Sequence, residues 1–191
     1  WKIFQEKLRE AREKRAIDAK YEDIIVPMNM RNSAGEISRG SRVRIDDAKF
    51  LRLFCWWRNC VDGSRVDVDL SGMIFDKYFN SGDYLDYTEL DGTIGKHSGD
   101  FTDGKDGVSE FIDVDREAIL EKGRYLAITL NVYTRQKFSE FECFAGVMQR
   151  EGISDSVYDA RTVDCKFDVN LDRHIYMPFV FDLVENKMIW T

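Results

Sequence analysis

Short segments in which apolar and polar residues alternate, separated by polar turns, fill most of this chain after Tyr21 and constrain its fold more than any other feature. The segments with this pattern or a β-prone composition are residues 24–26, 42–45, 50–57, 65–75, 84–87, 110–114, 125–133, 141–149, 175–184 and 187–190. A period of two places successive side chains on opposite faces of a strand. Many short strands with Gly, Asp and Asn between them are typical of a sandwich or a barrel. We therefore predict a mainly all-β fold.

Two segments favour helix instead. Residues 1–20 contain strong helix formers, no Gly or Pro, and a narrow apolar stripe. We interpret them as an N-terminal helix or a linker from a longer chain, the alternative being a helix that binds a partner. Residues 115–123 begin with an acidic N-cap and end in glycine, which predicts one short connecting helix. Nothing marks a boundary after residue 20, so residues 21–191, which include a polar loop at 29–40, are predicted to form one domain.

The charge balance limits the partners of this chain. Its 35 acidic and 28 basic residues give a net charge of −7. Nucleic-acid binding depends on a basic surface that releases counterions, so we predict no nucleic-acid partner. No apolar run approaches the ~20 residues that span a bilayer, so we predict no membrane insertion.

Cysteine usage and the N-terminal residues favour a cytoplasmic location. The four cysteines are scattered without a CxxC motif, and we interpret them as reduced thiols, two of them in strands. They are Cys55, Cys60, Cys143 and Cys165. A zinc site built from two of them and the two histidines would fit no common ligand spacing. The N-terminal residues are charged and lack the apolar segment of a secretory leader.

Two acidic segments form the candidate site. In residues 67–71 a strand would place Asp67, Asp69 and Ser71 on one face, where two carboxylates repel each other unless solvent or a cation separates them. Residues 97–110 form a loop rich in Gly and Asp, in which glycines let carbonyl and carboxylate oxygens converge. Ca²⁺ binds about six to eight oxygen ligands, and this loop offers them without the spacing of an EF-hand. A solvated acidic turn is the alternative interpretation.

The order of these segments resembles the TerD family of bacterial tellurium- and stress-resistance proteins. Residues 67–71 are similar to that family's Asp-Leu-Asp-Ala-Ser strand, and residues 97–110 to its His-Thr-Gly-Asp motif and acidic loop. The remaining similar segments are residues 110–115, 135–138 and 179–190. The likeness spans roughly residues 38–191.

This resemblance implies a two-sheet antiparallel β-sandwich, with an N-terminal helix and one short connecting helix, that binds Ca²⁺ at one end. The ligands it implies are Asp67, Asp69, Asp100, Thr102 and Glu110, with Asp103 and Asp106 where the family loop is acidic. Here the loop is one residue shorter and contains Lys105, and Arg58 stands where the family commonly has Asp. Of the two adjacent Ca²⁺ sites common in the family, we therefore expect one to survive.

We expect a Ca²⁺-binding interaction or scaffold domain of a stress-response protein, with protein partners, and not an enzyme. His97 and His174 are the only histidines, and we interpret them as a loop-holding residue and as a surface or packing residue. No Ser or Cys shows a paired base in the sequence. The alternative is a carbohydrate-binding sandwich with structural Ca²⁺, whose sugar-stacking face would come from Trp56, Trp57 and Tyr133. At least one of the adjacent tryptophans must face outward from a regular strand.

Overall fold

The structure is a computed structural model that describes residues 40–45, 49–150 and 163–191. Within these residues twelve strands and one helix follow one another along the chain. They are β1 Arg42–Arg44, β2 Phe50–Trp57, β3 Val68–Phe75, β4 Ser81–Leu85, β5 Asp91–Gly92, β6 Gly95–His97, β7 Val108–Asp115, α1 Arg116–Lys122, β8 Tyr125–Val132, β9 Cys143–Arg150, β10 Val163–Asp168, β11 Ile175–Asp182 and β12 Lys187–Trp190. Three predicted segments lie outside the described residues: the helix at 1–20, the strand at 24–26 and nearly all of the loop at 29–40.

The strands form two antiparallel sheets of six strands each. Sheet A has the order β1-β12-β11-β8-β3-β4, and sheet B has the order β10-β9-β2-β7-β6-β5. Neighbouring strands pair antiparallel throughout both sheets. The predicted all-β, two-sheet sandwich is confirmed, and the barrel that alternation alone left open is excluded.

One apolar core lies between the two sheets. In β2 the side chains of Leu53 and Trp57 point into this core and are fully buried. Phe179 and Phe181 of β11 enter it from sheet A and are also fully buried. Because alternate residues of each strand meet in this layer, the period of two in the sequence becomes the inner face of each sheet. The indole of Trp57 also donates from Nε1 to the Val66 carbonyl at 2.9 Å, which satisfies its polar group inside the core.

Helix α1 has the boundaries that the sequence predicts. The Asp115 side chain caps it by accepting hydrogen bonds from the main-chain N–H groups of Glu117 and Ala118. At the other end, Gly123 donates its N–H to the Ile119 carbonyl. Among the described residues, no helix is long and apolar enough to cross a membrane.

Three strands were missing from the sequence prediction. Strands β5 and β6 have only two and three residues, too few for alternation to reveal them. Strand β10 does alternate, and its Cys165 and Phe167 are buried. The signal for β10 was therefore present in the sequence.

The four cysteines are free thiols, and three of them, rather than the predicted two, lie in strands. Burial raises the pKa of Cys55 in β2 and of Cys143 in β9. Because the thiolate is the reactive form, both are inert packing residues.

A buried ion pair joins the two central strands of sheet B on the face away from the core. Arg52 of β2 lies directly opposite Asp113 of β7, and its Nε and Nη2 donate to the two carboxylate oxygens at 2.6 Å each. The two side chains are 0% and 2% exposed. The Phe111 ring lies 3.8 Å from the guanidinium carbon. This two-bond geometry is the one in which a buried arginine and a carboxylate compensate each other best.

Replacing Arg52 alone should destabilise the chain strongly. In Arg52→Met, Asp113 loses both of these bonds while remaining buried, so we expect a loss of about 3–5 kcal/mol in the free energy of unfolding. The double replacement Arg52→Met with Asp113→Leu should recover most of that loss, because it removes the buried charge as well. Urea unfolding of both variants measures the difference. Equal losses in the single and double variants would contradict this account.

Candidate metal site

Residues 66–70, at the start of β3, have one apolar face and one face with two carboxylates. Val66, Val68 and Leu70 point into the core and are buried. Alternation therefore places Asp67 and Asp69 on the other face, as predicted. Both acids are nevertheless largely buried, at 4% and 8% exposure.

Asp100 brings a third carboxylate to this position. It belongs to the loop at 98–107 between β6 and β7 and is exposed. One carboxylate oxygen from each of Asp67, Asp69 and Asp100 lies within 4.8 Å of the other two. We call these three residues the acidic cluster. The strand and the loop that the sequence singles out thus meet at one end of the sandwich.

Few hydrogen bonds compensate the acidic cluster. Asn131 of β8 lies opposite Asp69 and donates from Nδ2 to Asp69 Oδ2 at 3.1 Å. The Asp67 carboxylate accepts no hydrogen bond from any described residue. Its attractive contact is with Arg65, whose Nη1 lies 3.6 Å from Asp67 Oδ2. A carboxylate so deeply buried is unfavourable unless hydrogen bonds or a cation offset the loss of water.

Burial raises the pKa of both aspartates on this strand. For Asp69, burial is the largest cause and raises the pKa to about 6, with the Asn131 bond opposing the rise and the charge of Asp67 adding to it. For Asp67, burial raises the pKa, Arg65 opposes the rise and Asp100 adds to it. A bound cation acts in the opposite direction, because it favours the ionised form of each carboxyl group.

Glu110 and His97 of sheet B bind the open edge of β3 just beside the cluster. Glu110 Oε2 accepts a hydrogen bond from the Leu70 N–H at 3.0 Å, and Oε1 accepts one from the Phe101 N–H at 3.0 Å. His97 Nε2 lies 3.0 Å from the Leu70 carbonyl oxygen. Strand β4 pairs with β3 only from Gly72 onward. The two side chains therefore satisfy Leu70 at a point where none of the described strands does so, and we call this arrangement the clamp.

The hydrogen bonds of His97 define its tautomer. The Gly99 N–H donates to Nδ1 at 3.1 Å, so the proton lies on Nε2 and is donated to the Leu70 carbonyl. Burial lowers the pKa of His97, which keeps the ring neutral. The prediction that His97 holds the loop is confirmed. His174 is exposed at the start of β11, in agreement with the predicted surface role.

Asp103 organises the loop instead of facing the cluster. Its Oδ1 accepts hydrogen bonds from Asn59 Nδ2 at 2.8 Å and from the Lys105 N–H at 3.1 Å. Asn59 Oδ1 in turn accepts from the Gly104 N–H at 3.1 Å. Gly104 lies against the indole of Trp57, where a β-carbon would come within 2.7 Å of Cδ1, so this close approach requires glycine. Of the other candidate ligands, Asp103, Asp106 and Glu110 lie outside the acidic cluster, and the Thr102 carbonyl oxygen accepts a hydrogen bond from Arg65 Nη1 at 2.9 Å.

Two residues near the cluster escaped the sequence analysis. Asn131 alternates correctly for the outward face of β8, but only the pairing of β8 with β3 places it beside Asp69. Arg65 lies two positions before Asp67, so the same alternation could have placed it near the cluster.

The aromatic residues considered for sugar stacking do not form one face. Trp57 is fully buried in the core. Trp56 faces the other way and stacks on Phe144, with ring centroids 4.7 Å apart, which confirms that one of the adjacent tryptophans faces outward. Tyr133 is 67% exposed, at the end of β8 in the other sheet.

Comparisons with known proteins assign no family. No protein-family model matches the chain, and no curated protein matches it. The resemblance to the TerD family therefore stays a prediction.

The clamp should give stability a distinct pH dependence. Burial raises the pKa of Glu110 to about 8, although its bonds from Phe101 and Leu70 oppose the rise. The folded chain therefore holds this proton more tightly than the unfolded chain. We expect the free energy of unfolding to fall by about 1 kcal/mol between pH 7 and pH 8 in the presence of a chelator.

Urea unfolding at several pH values in this interval measures that fall. His97 adds little to it, because above pH 6.5 it is mostly neutral in the folded and the unfolded chain. Glu110→Gln serves as the control, since its amide does not titrate and its stability should be nearly constant over the same interval. A fall of equal size in this variant would assign the titration to another group.

Proposed function

We propose that this chain is a Ca²⁺-binding β-sandwich module of the kind that the TerD family represents. In this proposal it acts in the cytoplasm as an interaction or scaffold domain of a stress-response protein. The observation that carries the proposal is the acidic cluster, in which the Asp67 carboxylate is almost buried and accepts no hydrogen bond from the described residues. Such a group needs a positive ligand more than a solvated acidic turn does.

Electrostatics supports a divalent cation at this position. Three carboxylates within 4.8 Å of one another repel strongly when they are ionised, and burial of two of them weakens the screening by water. A divalent ion cancels most of this charge and supplies the attraction that the missing hydrogen bonds do not. Among the residues that the structure describes, Arg65 is the arginine paired with the cluster, and it is half exposed and contacts Asp67.

The donor set favours Ca²⁺ over the other common divalent ions. All three side chains of the cluster present hard carboxylate oxygens, and no cysteine or histidine belongs to the group. Ca²⁺ accepts oxygen ligands in flexible geometry, whereas Mg²⁺ demands near-ideal octahedral geometry and gives up its water reluctantly. Asp67, Asp69 and Asp100 would hold the ion, and main-chain carbonyls and water would complete its coordination.

The proposed role of the ion is to fix the loop at 98–107 on sheet A. Asp67 and Asp69 belong to the segment of β3, and Asp100 belongs to the loop, so one ion would crosslink the two. The surface at this end of the sandwich would then depend on Ca²⁺, which is the property that an interaction domain needs. A catalytic role is not proposed, since both ring nitrogens of His97 are engaged in hydrogen bonds and His174 lies outside the cluster.

Ca²⁺ should raise the melting temperature of the chelator-treated chain. At a free Ca²⁺ concentration about 100 times the dissociation constant, binding adds about 2.7 kcal/mol to the free energy of unfolding. For a domain of this length, that corresponds to a rise of about 5–10 °C. Thermal unfolding with Ca²⁺, with Mg²⁺ and with chelator alone measures the shift, and Mg²⁺ should produce much less of it.

Asp100→Asn should remove most of the Ca²⁺-dependent shift. This residue is exposed, so its replacement leaves the core intact and tests the ligand role alone. Glu117→Gln is the matched control, because it removes the same charge from an exposed position on α1 that is paired with Lys49. An unchanged Ca²⁺ response in Asp100→Asn would remove this residue from the site. The absence of any response in the unmodified chain would refute the proposed function.

A further inference from the structure

Arg65 lies between the two parts of the chain that the proposed ion would join. Its Nη1 donates to the Thr102 carbonyl at 2.9 Å and lies 3.6 Å from Asp67 Oδ2. One guanidinium group therefore connects the loop at 98–107 to the segment that leads into β3. This is the same crosslink that the proposed function assigns to Ca²⁺.

Both oxygens that Arg65 contacts are of the type that Ca²⁺ binds. Asp67 Oδ2 belongs to the acidic cluster, and a main-chain carbonyl such as that of Thr102 is a common Ca²⁺ ligand. The Arg65 N–H occupies a lone pair of the Thr102 carbonyl oxygen, and the guanidinium charge lies 3.6 Å from Asp67 Oδ2, where a metal ion would bind. A positive guanidinium beside Asp67 also repels an incoming cation.

The surroundings of Arg65 hold its backbone and leave its side chain able to move. Gln136 Nε2 donates to the Arg65 carbonyl at 3.0 Å, and the next residue, Val66, is buried in the core. The Arg65 side chain itself is 50% exposed. Rotation about its side-chain bonds is therefore sufficient to carry the guanidinium into solvent, with no change in the strand.

We propose that Arg65 is an intramolecular competitor of the cation: in the ion-free chain its guanidinium lies beside Asp67 of the acidic cluster, and it is displaced when Ca²⁺ binds. This inference rests on the proposed function and adds the residue that sets its affinity. In the ion-free chain, Arg65 lowers the repulsion among the carboxylates and keeps the loop near β3. On binding, the ion takes over both tasks, and the Thr102 carbonyl becomes free to face it.

The replacement Arg65→Gln should change the ion-free chain and leave the Ca²⁺-bound chain unchanged. Without the competing charge, Ca²⁺ should bind about tenfold more tightly, the size expected for one partly screened charge close to the ion. The melting temperature in chelator should fall, because the ion-free chain loses its internal crosslink. The melting temperature at saturating Ca²⁺ should stay that of the unmodified chain, because Arg65 no longer contacts the cluster in that state.

Isothermal titration calorimetry of the chelator-treated 191-residue chain with calcium chloride measures the affinities, and thermal unfolding measures the two end states. Arg42→Gln is the matched control, since it also removes one half-exposed arginine charge, here one on β1 that faces Glu185 at 3.7 Å. Its affinity for Ca²⁺ should remain close to that of the unmodified chain.

The outcomes distinguish the competitor role of Arg65 from the proposed binding of Ca²⁺. Tighter binding by Arg65→Gln than by the unmodified chain, with the affinity of the control variant unchanged, supports competition. Equal or weaker binding of Ca²⁺ by Arg65→Gln overturns the competitor role. An equal loss of melting temperature with and without Ca²⁺ overturns it too. Failure of all three proteins to bind Ca²⁺ refutes the proposed function and the competitor role together.

Discussion

The clamp on Leu70 is the interaction on which the end of the sandwich with the candidate site depends. In a sandwich the two sheets meet through apolar side chains, which favour burial but do not set how one sheet is positioned along the other. Here Glu110 and His97 of sheet B hydrogen-bond both main-chain groups of one residue in sheet A. Because such bonds are directional, they fix where the start of β3 lies relative to β6 and β7. The loop between β6 and β7 is placed by the same side chains, through Phe101 and Gly99.

The clamp also explains why carboxylates of the same region have different uses. Glu110 is buried and accepts two main-chain N–H groups, so its position is determined by the fold whether or not an ion is present. Asp67 is buried to a similar degree, yet it accepts no hydrogen bond from the described residues. Burial that Arg65 offsets only from a distance of 3.6 Å makes Asp67 a group that gains from a cation. The same residue type is therefore structural at one position and a candidate ligand at the other, and the difference lies in the donors nearby.

Arg65 lies between the loop that the clamp positions and the Asp67 carboxylate. A cluster of partly buried carboxylates is unstable alone, and a chain that has to fold before it meets an ion needs some positive group there. A half-exposed arginine is suited to this task, because its long side chain can reach the cluster and can also withdraw into water. In the proposed scheme the ion-free and ion-bound chains share one backbone and differ in which cation joins the loop to β3.

The alternation of apolar and polar residues was enough to predict an all-β fold, most of its strands and the division of faces in residues 66–70, because strand periodicity is a local property. The choice of a two-sheet sandwich over a barrel came from the resemblance to the TerD family. The acidic N-cap at residue 115 and the glycine at residue 123 likewise predicted α1. The short strands β5 and β6 escaped, since two or three residues carry no period. The strand order and the pairing of β8 with β3 also escaped, because sequence spacing does not say which strands meet.

For the site, the sequence by itself determined which two segments carry the acids, and the resemblance to the TerD family implied that His97 holds the loop. The tertiary structure alone decided that Asp67, Asp69 and Asp100 converge, whereas Asp103 bonds to Asn59 and Glu110 bonds to the main chain. It also decided that Asn131 and Arg65 are the neighbours of the cluster. The physical reason is that residue types are encoded locally, whereas the hydrogen-bond donors around a carboxylate come from distant strands and loops.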